Sequence, residues 1–352
     1  MKFDSLQVRK AWMKEKKFSI PTEKSPYFEY FLDLYENLWN TKTIYETYLK
    51  EKEEKSKKTE KNEEKVNSQD IRNGIIEKIK SIPEYKEFSE GDISKYAINK
   101  NELACYKNLK KVLFKIPQIG KYFISVDLKK ANYNSLKYFS SKLVLDSKNY
   151  PDMVAQFTSS KHLQQSKVLR QIIFGHLNPK RQQLIQKYMM VEFAKAIIEG
   201  VEGIDKDSWV CHASDEIIFE IPQLKDKENK KEYATKLVND IKNTIESHPK
   251  FGEMPIHYEA FYLNSITSTS TKTIGYVKEF IVEENNTPFV FKCVPVDDYA
   301  QAYKHYTKQP ITLYDRIFES NGSICIKENL FGKKESMELE VAKWAMATPE
   351  NQ

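Results

Sequence analysis

Lys121-Tyr122-Phe123-Ile124-Ser125-Val126-Asp127-Leu128-Lys129-Lys130-Ala131 is a short aromatic and β-branched run that ends on an acid and gives way at once to a helical pattern. Such side chains fit a pleated, half-buried backbone, and the change of period after Asp127 marks where a strand stops. The stretch predicts a buried strand delivering Asp127 at its carboxyl end, followed by a helix from Lys129 to Phe139. Downstream, Trp209-Val210-Cys211-His212-Ala213-Ser214-Asp215-Glu216-Ile217-Ile218-Phe219-Glu220-Ile221-Pro222 reads as two extended runs meeting at a polar turn around Ser214 and Asp215. That pattern predicts a β-hairpin with acids at its tip.

Between these two stretches the period is helical, from Ser159 to Leu177 and from Pro179 to Gly200. Asn178-Pro179 supplies a break, with Asn as N-cap and Pro as first helical residue. Ile185, Met189, Phe193 and Ile197 make one apolar stripe suited to a core. After the hairpin, Ala234, Leu237, Val238, Ile241 and Ile245 mark another helix, and Ala260 to Ile266, Thr273 to Val282 and Phe289 to Val294 read as strands. Upstream, Tyr27, Phe28, Tyr30, Phe31, Leu34, Tyr35 and Leu38 have helical spacing, and Asp70 to Leu113 suits two or three helices. Lys50 to Lys65 carries thirteen charges in sixteen residues; it buries nothing and is an exposed helix or a disordered insertion. The order of elements is that of an α+β fold, helices covering one face of an antiparallel sheet.

Composition narrows the possibilities without choosing among them. The chain has 352 residues, 56 Lys and Arg against 50 Asp and Glu, and a formal charge of +6, a mild basic balance that permits a polyanionic partner without requiring one. Its apolar runs fall far short of the ~20 residues that span a bilayer, and Met1-Lys2-Phe3-Asp4 opens no signal sequence. A cytoplasmic or nuclear protein, neither secreted nor membrane-bound, is expected. Cys105, Cys211, Cys293 and Cys325 form no CxxC pair, so they are expected to be small buried residues. The six histidines make no helical His-x-x-x-His pair, so any metal here is expected on carboxylates.

Two metal ions about 3.5–4 Å apart catalyse in-line phosphoryl displacement, and hard dications need carboxylates on a rigid scaffold. Asp127 at a strand end and Asp215 with Glu216 on a hairpin tip meet that need if the two strands are neighbours. With these motifs the chain resembles the palm-domain nucleotidyltransferases, which include reverse transcriptases, RNA-dependent RNA polymerases and family A DNA polymerases. Phe123 to Ala131 is similar to the first catalytic motif of reverse transcriptases. Val210 to Pro222 is similar to the His-Asp-Glu hairpin of family A polymerases, with Ser214 inserted before the acids. Lys167-Val168-Leu169-Arg170-Gln171-Ile172-Ile173-Phe174-Gly175 resembles the nucleotide-binding helix of the latter. Thr271-Lys272-Thr273 with Ile274-Gly275-Tyr276 resembles the lysine-bearing and hairpin motifs that close reverse transcriptase palms. The likeness covers Lys121 to Val294. It departs from reverse transcriptases in having Asp-Glu for a double Asp, and from family A in the short spacing between acid motifs. The Ser-Asp-Glu string is also similar to the tip of tRNA-His guanylyltransferases.

The resemblance implies a polymerase-type palm at 121–294 with a helical insertion, preceded by a helical region at 1–49, a charged linker at 50–66 and a fingers-like helical region at 67–120, and followed by a thumb-like appendage at 295–352. It implies a nucleic-acid polymerase working with two magnesium or manganese ions on Asp127, Asp215 and Glu216, on a template and primer with nucleoside triphosphates. Lys167, Arg170, Phe174 and Lys272 would contact the nucleotide, Lys272 as candidate general acid. Asn132, five residues after Asp127, stands where reverse transcriptases carry an aromatic residue against the ribose 2′-hydroxyl, which implies acceptance of ribonucleotides; a one-residue slip would put Tyr133 there and reverse this. Terminal nucleotide addition to tRNA and a non-catalytic nucleic-acid-binding scaffold are the alternatives. Each residue also has a plainer reading. Asp127 suits an N-cap, Asp215 and Glu216 a turn, and Lys167 and Arg170 a solvated helix face. Tyr299, Tyr303 and Tyr306, with Lys304 and Lys308, suit either base stacking or a packed helix face.

Overall fold

The computed structural model describes residues 4–16, 18–59, 68–99, 103, 106, 109–283 and 287–332. The chain forms two compact units, one of Met1–Glu64, Asn264–Val277 and Val290–Gln352, the other of Lys65–Leu263 and Lys278–Phe289. These units are interleaved along the chain, which the sequential boundaries expected above do not anticipate. Cys105, part of the charged run and the last twenty residues of the expected thumb-like region lie outside the described residues.

In the first unit, α1 (Leu6–Lys16), α2 (Tyr27–Leu34), α3 (Glu36–Trp39) and α4 (Thr41–Thr59) gather around aromatic side chains. Trp12 lies 4.8 Å from Tyr45 and 5.9 Å from Phe28, centroid to centroid. The described part of the charged run, 50–59, continues α4 as helix; of the two readings above, the helix holds as far as Thr59.

In the second unit, α5 (Ser68–Lys80) and α6 (Pro83–Glu90) precede β1 (Lys121–Leu128). Then come α7 (Ala131–Phe139), α8 (Tyr150–Ala155), α9 (Lys161–Gln165), α10 (Lys167–Gly175) and α11 (Pro179–Gly200). The hairpin is β2 (Trp209–His212) and β3 (Glu216–Glu220), followed by α12 (Lys230–Glu246) and β4 (Ile256–Thr267). β5 (Thr273–Val282) and β6 (Phe289–Lys292) complete a six-stranded sheet of order β2-β3-β1-β4-β5-β6. The unit boundary falls within β4 and β5. β1 pairs antiparallel with β3 on one side and β4 on the other. A strand, helices, a hairpin, a helix and a strand, with β3 filling the space between β1 and β2, make a split β-α-β arrangement.

Side chains alternate across a strand, and here the alternation sorts chemistry. Ile124, Val126 and Leu128 join Ile217, Phe219, Ile256 and Ala260 in a core roofed by Leu136 of α7, Met189 and Phe193 of α11 and Leu237 and Ile241 of α12. The opposite side of β1 carries Ser125 and Asp127. Asn178 starts α11 in the left-handed region (φ 55°) without a side-chain cap, so the expected N-cap role is replaced. Its amide nitrogen instead donates to the Ser89 carbonyl at 3.4 Å.

In the first unit, β7 (Ile317–Ser320) and β8 (Ser323–Ile326) form a separate ribbon behind α13 (Tyr299–Tyr306). Tyr299 and Tyr303 are buried, with Tyr35 at 5.8 and 5.7 Å; this is the packed helix face rather than a stacking platform. Cys211 is buried, but Cys293 is exposed and Cys325 half-buried, so the expectation of uniformly buried cysteines fails at two positions.

Candidate active site

The register of β1 fixes the site. Asp127 faces Glu216 across β3 and His257 across β4, while Ser125 faces Glu259. Directly opposed residues of an antiparallel pair share a face, so these groups lie on the side of the sheet away from the helices. Asp215 sits in the hairpin turn just before Glu216. The turn is closed by Ala213 N–H donating to the Glu216 carbonyl at 2.9 Å and tied to β1 by Leu128 N–H donating to the Asp215 carbonyl at 2.8 Å. Ser125 Oγ donates to Glu216 Oε1 at 2.5 Å, which orients that carboxylate.

Asp127 lies inside β1, and α7 begins only at Ala131 behind Lys130. The N-cap reading of Asp127 therefore does not describe its position. Burial, then the neighbouring carboxylates of Asp215 and Glu216, push its carboxyl up to about 7, with His257 opposing. Asp215 is also raised, chiefly by burial. Like charges held together in a desolvated place each disfavour the other's ionisation, and a dication relieves both effects at once. The carboxylates of Asp127, Asp215 and Glu216 are hard oxygen donors of the kind magnesium and manganese take, but among the described residues it is His257, Glu259 and Glu283, not these three, whose ligand atoms lie within 4.8 Å of one another.

Three further groups on this face escape sequence reasoning. His257 Nε2 lies 3.1 Å from Glu259 Oε1, and the ammonium of buried Lys278 pairs with Glu259. The Lys278 ammonium also stands 4.1 Å from the Phe261 ring centroid. Burial raises Glu259, but Lys278 by charge and hydrogen bond, and then His257, outweigh it and hold the carboxyl below its ordinary value. His257, Glu259 and Glu283 place ligand atoms within 4.8 Å of one another. In sequence His257, Glu259 and Lys278 are ordinary strand residues; only the pairing of β4 with β1 and with β5 gives them significance.

The nucleotide-contact residues separate. Arg170 is half-buried on α10, its guanidinium 5.6 Å from the Tyr150 ring centroid. Burial, then the charge of Arg170, lower the pKa of Lys130, so a second cation, missed in sequence, is coupled to Arg170 three residues beyond Asp127. Lys167 is exposed at the start of α10. Phe174 is fully buried against Tyr133 and Tyr150, so it is a core residue and the expected nucleotide contact is corrected. Asn132 is half-buried, and its Oδ1 accepts from Gln186 Nε2 at 2.8 Å; its amide nitrogen makes no hydrogen bond among the described residues. Tyr133 is 2% exposed, with its hydroxyl donating to the Ser147 carbonyl at 2.8 Å; it cannot take the sugar-facing place. Lys272 is exposed in the turn between β4 and β5 and belongs to the first unit. His212, beside the acids, is held neutral, its pKa pushed down to about 4 by burial and then by Lys187, and its buried Nε2 has no partner among the described residues.

Comparison of the chain with protein-family models, with curated proteins and with solved structures finds no match.

Proposed function

We propose that this protein is a nucleotidyltransferase built on a polymerase-type palm, adding nucleotides to a nucleic-acid strand. The observation that carries the reading is the register Glu216–Asp127–His257 across three adjacent strands, which sets Asp127 beside Glu216 on the sheet face away from the helices, with Asp215 in the adjoining turn near enough to act on the Asp127 carboxyl. Magnesium or manganese held by these carboxylates would activate the attacking hydroxyl and stabilise the leaving oxygens. Ser125 fixes one carboxylate by its hydrogen bond. Arg170 and Lys130 supply positive charge for the triphosphate from α10 and the start of α7, a role fixed cations fill without reorganising. Asn132, oriented by Gln186, offers an amide N–H to a ribose hydroxyl, so ribonucleotides are the preferred substrate.

The test is primer extension on RNA and DNA templates with NTPs or dNTPs and magnesium or manganese, comparing wild type with Asp215→Ala. Extension that the substitution reduces by at least about a thousandfold, the scale of losing preorganised electrostatic stabilisation, supports the reading. A folded wild type that extends nothing in any combination overturns it; untemplated addition to an RNA end would keep the chemistry and move the substrate to the guanylyltransferase-like alternative. Asn132→Ala is expected to lower the preference for NTPs over dNTPs without abolishing extension.

A further inference from the structure

Within the first unit, Phe28, Leu32, Tyr45 and Leu49 line a cavity of about 240 Å³ between α2 and α4. Its other lining groups are Asp4, Glu29, Asp33, Lys42 and Glu46. These charges are unequally committed. Arg9 satisfies two of the acids, holding Asp4 at 2.6 Å and Glu29 at 2.7 Å. Asp4 also accepts from the Tyr45 hydroxyl at 2.6 Å. Lys42 takes Asp33 at 2.9 Å. Glu46, one turn beyond Lys42 on α4, has no hydrogen bond or ion pair to any described residue. The cavity thus combines an apolar lining, four carboxylates against one lining cation, and one carboxylate, Glu46, that makes no hydrogen bond among the described residues and has the charge of Lys42, already paired with Asp33, acting on it.

We propose that this cavity binds a small organic monocation, an aryl- or alkylammonium whose apolar body lies on Phe28, Leu32 and Leu49 and whose ammonium meets Glu46. The apolar part of the cavity suits a body of amino-acid side-chain size. The sign excludes a phosphate or carboxylate ligand. A neutral apolar ligand would cover Glu46 without returning a hydrogen bond, an uncompensated desolvation, whereas an ammonium restores it as a charge-assisted pair. The site stands apart from the nucleotidyl-transfer reading and does not depend on it.

Titration of the full chain with 2-phenylethylamine, 2-phenylethanol and phenylacetate, followed by calorimetry or ligand-observed NMR, tests this. The amine is expected to bind about fivefold more tightly than the alcohol, the upper range for a partly exposed charge pair, with phenylacetate weakest. Glu46→Gln, at a half-buried position of α4, is expected to abolish the amine's advantage and to leave binding of the alcohol unchanged. Absence of saturable amine binding, equal affinity for amine and alcohol, or an amine preference that survives Glu46→Gln would each overturn the proposal.

Discussion

Asp127 illustrates how a single side chain can oppose the fold that holds it. Its carboxyl titrates at about 7 in the folded chain and near ~3.9 when unfolded. The unfolded state therefore releases its proton first, and between those pH values folding is progressively disfavoured, by on the order of 4 kcal/mol above pH 7. Asp127→Asn is expected to melt higher than wild type at pH 8 and to converge with it by about pH 4, read by differential scanning fluorimetry. Millimolar magnesium should raise the wild-type midpoint at pH 8 and move the variant less; equal shifts would detach Asp127 from metal binding. His212 runs the other way. With its folded pKa depressed to about 4, the stability tied to its neutral form is complete above the ordinary value near ~6.5 and is lost as pH falls towards 4. His212→Gln should flatten the acid limb of stability against pH between those values; an unchanged limb would place the acid sensitivity elsewhere.

Pairs of elements set the next level, and β4 with β5 supplies its clearest case. Lys278 is 4% exposed and neutralises Glu259. Removing one partner of a buried pair strands the other charge, which typically destabilises by ~3–5 kcal/mol. Lys278→Met is expected to lower the unfolding free energy by about 3 kcal/mol at neutral pH, measured by urea denaturation, and Lys278→Met with Glu259→Gln should recover most of the loss. A single variant as stable as wild type would mean Glu259 is well solvated. Individual elements were readable in sequence for the reasons that make them form: the aromatic and β-branched run ending at Asp127, the polar turn at Ser214–Asp215 and the 3.6-residue stripe of Ile185, Met189, Phe193 and Ile197. His257, Glu259 and Lys278 were not, because a polar residue on a strand acquires its role from the strand beside it, and register is a long-range property. Phe174 shows the converse. Its spacing from Arg170 resembled a binding motif, yet the same apolar period that builds α10 sends it into the core.

Across the whole molecule, contacts join segments far apart in the chain. Asp315, 1% exposed, accepts from the Tyr30 hydroxyl at 2.5 Å and from the N–H and hydroxyl of Thr312 at 2.7 and 2.9 Å. Asp315→Ala leaves those donors unmatched, at about 1–3 kcal/mol for a buried unsatisfied group. Hydrogen exchange should show lost amide protection in α2 and around Arg316, with β1 and β3 of the second unit unaffected; loss spread evenly over both units would refute a local effect. Local patterns could not reveal this partition, since nothing between Met1 and Glu64 specifies that Val290 to Gln352 completes the same unit. That partition also sets a schedule for biosynthesis. At ~5–20 residues per second, translation needs roughly ten to fifty seconds to pass from residue 64 to residue 290. Throughout that interval Tyr35 waits for its ring partners Tyr299 and Tyr303, and Tyr30 for the carboxylate of Asp315. The earlier-made part of this unit is thus among the last to be finished, and its aromatic surface is what a chaperone would meet at the ribosome.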